Sequence, residues 1–440
     1  MARLERDSEV RKGLYTRQPV YYCKGADGAW FYSDTIHGLL EESGHAKEFN
    51  RDIVPTYLRY WYPATENTFY KGVKRLLPGF HLVENNGSVI VERFEDLEFA
   101  ANPFPDYESA VKSLTGILND IFEEERKTSD ASFLSSGVDS SLLAAGLPAK
   151  QVVSVGYEES RYDESKDAIA IAEKLGTDIH VCPVNIEEYF EVVPEAMVAR
   201  EEPSGDSSYI PLFLAAREAA KHTSACCSGE GPDELFCGYK VYQNYLNAPQ
   251  VDYWQAAHTC MKTRGLKEAK SYLERFSDGF EKMQAFDLTY ATECNLLPNL
   301  DAVARANKID IRTPLIDRRL FDFAVSIPVE YKVTPDNNKI VFRDAAESFL
   351  PQEVAQKPKR AFPVPTQMWM HEEPWASMIK ETFQSKEAKR LLSGLLPRYY
   401  IRKYFSESTD REATSSYWHP VWTMYALLVW YRGEFGALLC

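Results

Sequence analysis

The stretch Phe133-Leu134-Ser135-Ser136-Gly137-Val138-Asp139-Ser140-Ser141 predicts the end of a buried strand, a tight loop of small residues and the first turn of a helix. Small side chains let backbone N–H groups approach an anion, and the following helix adds its positive N-terminal dipole. The serine hydroxyls can donate to phosphate oxygens. Asp139 would repel a bare phosphate, so its presence indicates a bound divalent cation. This is not a Walker loop, because the Gly-x-x-x-x-Gly-Lys-Ser/Thr pattern is missing.

Composition narrows the class of protein. The length of 440 residues favours two domains, and a hydrophobic content of 45% with 26% charged residues is typical of a globular protein. A net charge of −15 argues against a broad nucleic-acid surface. The charged start predicts no signal peptide, and the longest apolar run, 421–431, is too short to cross a membrane. The eight cysteines are scattered, which predicts reduced thiols and a cytoplasmic location.

The order of secondary structure predicts the fold. Residues 1–98 are β-rich, with two hairpins around turns at 25–28 and 85–87, and the Pro-rich break at 102–105 ends this region. Strands and helices then alternate over 107–228, which predicts an α/β fold with a doubly wound parallel sheet. A mostly helical part follows. We therefore expect a small N-terminal domain over 1–98 and a larger domain over 105–440.

A second loop, Ser228-Gly229-Glu230-Gly231-Pro232-Asp233-Glu234-Leu235-Phe236-Cys237-Gly238-Tyr239, also follows a strand. It contains small residues and concentrates three carboxylates. Acidic groups beside a phosphate loop are unfavourable without a metal, so Asp139 and Asp233 together indicate Mg²⁺ chelated to a pyrophosphate. Ligands on such sheets bind at the carboxyl ends of the strands, where both loops lie.

The first loop resembles the pyrophosphate-binding loop of the ATP pyrophosphatases. Together, the two loops are similar to the synthetase domain of the asparagine synthetase B family, which includes β-lactam synthetases and lasso-peptide cyclases. Further segments resemble that family in order and spacing. These are Glu202–Pro211, Ile309–Asp317, Lys339–Arg343, Leu350-Pro351 and Lys357–Pro365.

The resemblance implies an enzyme that adenylates a carboxylate with ATP, releases pyrophosphate and transfers the acyl group to an amine. It implies that Lys339 is the catalytic lysine, that Arg343, one helical turn further along, is also catalytic, and that Glu230 helps the attacking amine lose a proton. The spacing of Lys339 and Arg343 alone would predict a solvated helix face. Asp139 and Asp233 would hold Mg²⁺. The remaining nucleotide-binding positions implied are Leu134, Ser135, Ser136, Gly137, Ser140, Val155, Ser228 and Gly229.

The sequence also departs from the family. Position 2 is Ala where the family's glutaminase domain begins with a cysteine nucleophile, and the segment 6–15 resembles a motif found deep within that domain. We therefore expect that half of the glutaminase is missing and that this chain does not hydrolyse glutamine. Ser136 replaces a usual glycine, so it is expected to adopt a backbone geometry that glycine would take more easily. The altered segment 300–308 suggests a carboxylate other than aspartate.

The sequence therefore predicts an ATP- and Mg²⁺-dependent amide-forming ligase acting on a small-molecule or peptide carboxylate. The nitrogen source stays open between ammonia, a separate glutaminase subunit and an amine on a substrate, and so does a homodimer. One alternative is an intramolecular or peptide amide-former of the same family. Another is a non-catalytic nucleotide-binding scaffold. A third, a thiolating pyrophosphatase, would need a reactive cysteine pair, and none is suitably spaced.

Overall fold

The computed structural model describes residues 2–5, 8–129, 131–147, 149–248, 260, 271–358, 364–393 and 420–436. Two small antiparallel sheets form the N-terminal region. Their strands are β1 (Ala2–Arg3), β2 (Glu9–Lys12), β3 (Tyr21–Lys24), β4 (Trp30–Ser33), β5 (Lys74–Arg75), β6 (Phe80–Asn85) and β7 (Ser88–Arg93). One sheet has the order β1-β4-β3-β5 and the other β2-β6-β7. Both predicted hairpins, β3–β4 and β6–β7, are confirmed.

A parallel sheet of five described strands organises the larger region. Its strands are β8 (Ala131–Phe133), β9 (Gln151–Tyr157), β10 (Asp178–Val184), β11 (Ala225–Cys227) and β12 (Asp310–Arg312), in the order β10-β9-β8-β11-β12. The predicted doubly wound α/β fold is confirmed. In this order β8 and β11 are neighbours, with Ser132 paired to Cys227. The two loops that follow these strands therefore emerge side by side.

The helices before the parallel sheet's last strand include those of the alternation predicted over 107–228. They are α1 (Ile36–Ser43), α2 (Val54–Tyr60), α3 (Tyr107–Glu125), α4 (Val138–Gly146), α5 (Ser165–Leu175), α6 (Ile186–Ala199), α7 (Tyr209–Ala219), α8 (Pro232–Leu235), α9 (Lys240–Asn247) and α10 (Gly279–Phe286). A π-helix, Asp287–Leu296, continues directly into α11 (Leu297–Asn307). Such wide helical turns are rare and often accompany functional sites.

The remaining helices complete the C-terminal part. They are α12 (Arg318–Ser326), α13 (Val329–Lys332), α14 (Ile340–Ala346), α15 (Gln352–Ala355), α16 (Thr366–Trp369), α17 (Trp375–Gln384), α18 (Lys386–Leu391) and α19 (Pro420–Phe435). Helix α19 contains the apolar run predicted from the sequence, and almost all of it is buried. Among the described residues, no helix is long and apolar enough to cross a membrane.

Two hydrophobic clusters cover the two faces of the parallel sheet. Val152 of β9 belongs to one cluster with Leu118 and Leu142, whereas Val153 and Val155 belong to the other, because successive side chains of a strand point to opposite faces. Residues of the N-terminal region join both clusters. Tyr15 and Trp61 pack into the first, and Ile36, Tyr57 and Phe69 into the second. The N-terminal region is thus packed, through a shared core, against the larger region that contains the parallel sheet. We call this larger region the synthetase part.

Candidate active site

The first loop closes on itself through its serines. The backbone N–H of Ser135 donates to Ser140 Oγ at 3.0 Å, and that of Gly137 donates to Ser135 Oγ at 3.2 Å. The two serine hydroxyls lie 2.9 Å apart. Helix α4 begins immediately afterwards at Val138. The loop is therefore preformed, with the helix N-terminus behind it, as an anion-binding loop requires.

Ser136 does not carry the backbone strain that the sequence suggested. The described non-glycine residues with positive φ are Tyr15, Trp61, Asn86, Glu201, Cys237, Lys308 and Lys339, and Ser136 is not among them. That expectation is wrong, because the loop turns without entering the left-handed region at this position. The hydroxyl of Ser136 donates instead to Glu164 Oε2 at 2.7 Å. Ser136 thus ties the loop to the segment that follows β9.

The second loop approaches the first closely. A Cβ atom added at Gly229 would lie 3.0 Å from the backbone nitrogen of Ser140, so a side chain there would push the two loops apart. The backbone N–H of Ser228 donates to Arg312 O, which keeps this loop aligned with β12. Leu134 directly follows β8, Val155 lies in the carboxyl-terminal half of β9, and both are buried. The positions expected to hold adenosine therefore share the carboxyl edge of the sheet.

Lys339 connects the two loops. Its Nζ lies 2.5 Å from Asp139 Oδ2 and 2.6 Å from Asp233 Oδ1. The lysine side chain is completely buried, whereas 14% of Asp139 and 16% of Asp233 remain exposed. The spacing alone would predict that Lys339 lies on a solvated helix face, and that prediction is therefore wrong. Lys339 precedes α14 and has a left-handed backbone with φ of 53°, which turns its side chain inward.

Gly238 makes room for this ion-pair group. A Cβ atom on Gly238 would lie 1.9 Å from Asp233 Oδ1 and 2.2 Å from Lys339 Cε. The Gly238 carbonyl also accepts a hydrogen bond from Asn338 Nδ2 at 2.7 Å. Sequence reasoning missed both residues. Gly238 lies near the end of the second loop as quoted from the sequence, where its role as a space-making residue could have been suspected, but nothing in the sequence signals the role of Asn338.

Arg343 lies behind this group. Its guanidinium donates to the carbonyls of Asn338, Ala355 and Lys357, and to Asn338 Oδ1 at 3.2 Å. Burial lowers the pKa of Arg343, although the charges of Asp139 and Asp233 oppose that shift. In this arrangement the N–H groups of the Arg343 guanidinium donate to protein atoms. It holds Asn338, which in turn holds Gly238.

The second loop also carries a strongly perturbed carboxyl that sequence reasoning missed. Glu234 is fully buried, and burial followed by the charge of Asp233 raises its pKa well above the usual range. The hydroxyl of Tyr239 donates to its Oε1. Glu230, on the same loop, is only partly buried. Of these two glutamates, Glu230 is thus the one that solvent and substrates can approach.

The carboxylates fit a divalent cation. Asp139 Oδ1 is buried and has no hydrogen-bond partner, and two aspartates share the single charge of Lys339. Oxygen ligands of this kind are those that Mg²⁺ prefers, and Mg²⁺ commonly completes its shell with water and phosphate oxygens. Within the described ranges, no group of three or more His, Cys, Asp or Glu residues could hold a metal alone.

Two predicted segments lie partly outside the described residues. Lys359–Pro363 of the segment 357–365, and Arg6 and Asp7 of the segment 6–15, are not covered by the structure. The other site residues named from the sequence are all described. The structure brings Asp139, Asp233 and Lys339 into contact and places the two loops side by side.

Comparison with known proteins identifies the family. A family model described as asparagine synthase matches residues 127–432, which is more than half of the chain. The chain belongs to the asparagine synthase family, whose members are ATP-dependent amide-forming ligases. The match begins just before β8 and reaches into α19, so it includes both loops and Lys339.

Individual relatives extend the similarity into the N-terminal region. A putative glutamine-hydrolyzing asparagine synthetase of Mycobacterium bovis is 25% identical, over 94% of this chain and 72% of the relative. Glutamine-hydrolyzing asparagine synthetase 1 of Bacillus subtilis is 24% identical, over 94% of this chain and 73% of the relative. A bovine asparagine synthetase is 23% identical, over 81% of this chain and 59% of the relative.

Proposed function

We propose that this chain adenylates a carboxylate with ATP, releases pyrophosphate and transfers the activated acyl group to ammonia or an amine. The observation that carries the proposal is the contact of buried Lys339 with Asp139 and Asp233, which joins the two loops at the carboxyl edge of the sheet. Such a buried cation beside a preformed anion loop suits a reaction in which negative charge develops on phosphate oxygens.

The proposed role of each site residue follows from its position in the two loops and the neighbouring strands. The first loop, through Ser135, Ser136, Gly137 and Ser140, would hold the pyrophosphate part of ATP, and Leu134, Val155, Ser228 and Gly229 the adenosine. Asp139 and Asp233 would hold Mg²⁺, which supplies charge neutralisation when bound. Lys339 would stabilise the charge that builds on the α-phosphate and leaving pyrophosphate. Its fixed burial means that little reorganisation is needed during the reaction.

Glu230 and Arg343 take different roles. Glu230 is partly buried on the same loop as Asp233, and we assign it the role of general base that accepts a proton from the attacking amine. Arg343 bonds to backbone carbonyls and to Asn338, so we assign it a positioning role rather than contact with the substrate. This narrows the expectation from the sequence, which placed Arg343 among the catalytic residues.

Cys23, the cysteine of the N-terminal region, does not have the properties of a glutaminase nucleophile. Cys23 is completely buried, donates its S–H to Ser43 Oγ, and has its thiol pKa raised by that burial. A glutaminase nucleophile needs an accessible thiolate. We therefore propose that the nitrogen comes from free ammonia, from a partner glutaminase or from an amine on a substrate. The reduced cysteines described in the structure are consistent with a cytoplasmic enzyme.

The test is pyrophosphate release from ATP and Mg²⁺ across a panel of carboxylates, with mass spectrometry of the products. Each acid is assayed with ammonium, with glutamine and without a nitrogen donor. We expect release that disappears when Mg²⁺ is chelated, and that falls about 10³-fold in Lys339→Met. Lys174→Met is the control, because Lys174 pairs with Glu353 on the surface.

The product pattern distinguishes the alternatives. An amide formed from aspartate and ammonium identifies an ammonia-using asparagine synthetase. An internal amide without any nitrogen donor identifies an intramolecular or peptide amide-former, for which the altered segment 300–308 would account. If no acid supports release that depends on Lys339, the ligase proposal fails and a nucleotide-binding scaffold replaces it.

A further inference from the structure

A turn of the N-terminal region reaches the second loop of the candidate active site. Tyr15 donates a hydrogen bond from its hydroxyl to the carbonyl oxygen of Gly231 at 3.1 Å, and this bond is buried. The Tyr15 ring stacks on Phe321 of α12, with centroids 5.5 Å apart and planes inclined by 26°. Gly231 lies between Glu230 and Asp233. The hydroxyl of Tyr15 thus contacts the backbone that carries both carboxylates.

The backbone has positive φ on both sides of this contact. Tyr15 has φ of 52°, which costs energy for a non-glycine residue, and Gly231 has φ of 115°, which only glycine adopts readily. A Cβ atom on Gly231 would lie 2.5 Å from the Tyr15 hydroxyl oxygen and 3.0 Å from Leu315 O. Such strain persists only where the surroundings fix the conformation. The contact between Tyr15 and Gly231 therefore depends on these particular backbone conformations.

Ion pairs and hydrogen bonds hold the turn in place. Lys12 donates to the carbonyls of Thr16 at 2.9 Å and Gln18 at 2.6 Å, and its Nζ lies 3.0 Å from buried Glu293 of the π-helix. Arg17 pairs with Asp301 of α11 at 3.2 Å. The turn is thus anchored to two segments of the synthetase part before Tyr15 reaches Gly231.

A third anchor lies next to Tyr15. The backbone N–H of Leu14 donates to Glu95 Oε2 at 3.0 Å, and the other oxygen of Glu95 accepts from Arg318 at the start of α12. The same helix presents Phe321 to the Tyr15 ring. Tyr15 is therefore fixed through its backbone and its ring, which leaves its hydroxyl as a rigid donor.

The surroundings keep this donor protonated. Burial, and then the carboxylates of Glu234, Glu230, Asp233 and Asp139, raise the pKa of Tyr15 well above its ordinary value. Each of these carboxylates opposes the formation of a phenolate. The hydroxyl therefore keeps its proton and donates it in the hydrogen bond to Gly231 O.

We propose that Tyr15 is a positioning residue, which places Glu230 and Asp233 for amide formation by fixing the Gly231 carbonyl. The N-terminal region then contributes to the ligase site itself, although the residues it supplies do not touch the reacting atoms. This inference rests on the ligase function proposed above.

The test compares Tyr15→Phe with Tyr22→Phe in the full chain. Phenylalanine keeps the stacking on Phe321 and removes only the donor. Tyr22 is another buried tyrosine of the N-terminal region, but it packs in a separate small cluster with Leu76 and Leu82. We expect kcat for amide formation to fall about tenfold in Tyr15→Phe, with KM for ATP changed less than about twofold. Tyr22→Phe should match the wild type.

A second readout separates this proposal from the ligase proposal. Hydrogen–deuterium exchange over residues 228–239 should be faster in Tyr15→Phe than in Tyr22→Phe, whether or not a substrate is known. If the wild type shows no turnover with any acid, the ligase function fails, and the exchange measurement alone then decides the role of Tyr15. A lower melting temperature with unchanged kcat and unchanged exchange over 228–239 would overturn the proposal.

Discussion

Two buried ionic groups of this molecule differ in their balance of charge. At the candidate active site one cation, Lys339, is in direct contact with two carboxylates, Asp139 and Asp233. At the junction with the N-terminal region the buried pairs are one to one: Lys12 with Glu293, and Arg75 with Glu202. A balanced pair holds two segments together, whereas a group with excess negative charge suits a further cation. Charge balance thus separates a binding site from a structural contact.

The largest effect on activity is expected from a substitution that separates Lys339 from Asp233. In Gly238→Ala the new methyl group would overlap Asp233 Oδ1 and Lys339 Cε, so at least one of them must move. Since a displacement of about 1 Å at reacting groups can cost about 10²-fold, we expect pyrophosphate release to fall by at least that factor. The measurement is the rate of release at saturating ATP.

The matched control for this variant is Gly116→Ala. Gly116 lies within α3, and an added Cβ would meet no other described residue within 4 Å apart from its chain neighbours and the backbone of its own helix, so the activity of Gly116→Ala should stay at the wild-type level. Full activity in Gly238→Ala would show that the contact between Lys339 and Asp233 is dispensable, and the distinction between the two ionic groups would break down.

Removal of one partner from a balanced ion pair should change the stability of the fold. Lys12→Met leaves Glu293 buried without its cation, which we expect to lower the free energy of unfolding by about 3–5 kcal/mol. Burial raises the pKa of Glu293, and Lys12 lowers it, so loss of Lys12 raises it further. The native state then binds a proton that the unfolded state releases, and stability falls as pH rises.

Denaturant unfolding at pH 5.5 and pH 8 measures this. The deficit of Lys12→Met relative to the wild type should be larger at pH 8, and the double variant Lys12→Met/Glu293→Leu should recover part of it, because the unpaired carboxylate is gone. An equal deficit at both pH values would show that Glu293 is not the source of the instability.

The smallest effect is expected at a half-exposed pair of the same junction. His37 is 41% exposed, and its Nε2 lies 3.0 Å from Glu434 Oε2. Burial alone would lower the pKa of His37, but the carboxylates of Glu434 and Glu201 outweigh it, so the pKa is raised. Protonated His37 therefore stabilises the fold fully below the ordinary histidine pKa, and this contribution is lost as pH rises through the raised value.

For His37→Gln we therefore expect a loss below about 1 kcal/mol at pH 5.5 and almost none at pH 8.5. Thermal unfolding at the two pH values checks this, and its pH trend is opposite to that of Lys12→Met. A larger loss at the higher pH would contradict the assignment of the pair to protonated histidine.

The sequence predicted most of the fold and the segments that form the site. Strand alternation and the Asn86-Gly87 turn are local features, so the hairpins and the βα units were readable. Since parallel strands share a carboxyl edge, the approach of Asp139 to Asp233 was also predictable in outline. The likeness of Lys339 to a catalytic lysine singled out a residue that the structure places against both.

What could not be predicted depends on the local backbone. The spacing of Lys339 and Arg343 is that of an exposed helix face, but the left-handed backbone of Lys339 turns its side chain inward. The bonds of Arg343 to backbone carbonyls depend on how α14 packs near α15. The absence of positive φ at Ser136 likewise depends on how the loop turns. No pattern of side chains in the sequence encodes these details.

The adjacency of β8 and β11 has a consequence for the time course of folding. Ser132 and Cys227 pair across the sheet although β9, β10 and four helices lie between them in the chain. Parallel pairing of such distant segments raises the contact order and slows folding, because a long loop must close first. The two loops meet only when this pairing is complete. Affinity for a nucleotide should therefore appear late in folding and in a single step. A measurement of nucleotide binding would then count only fully folded molecules and no partly folded ones.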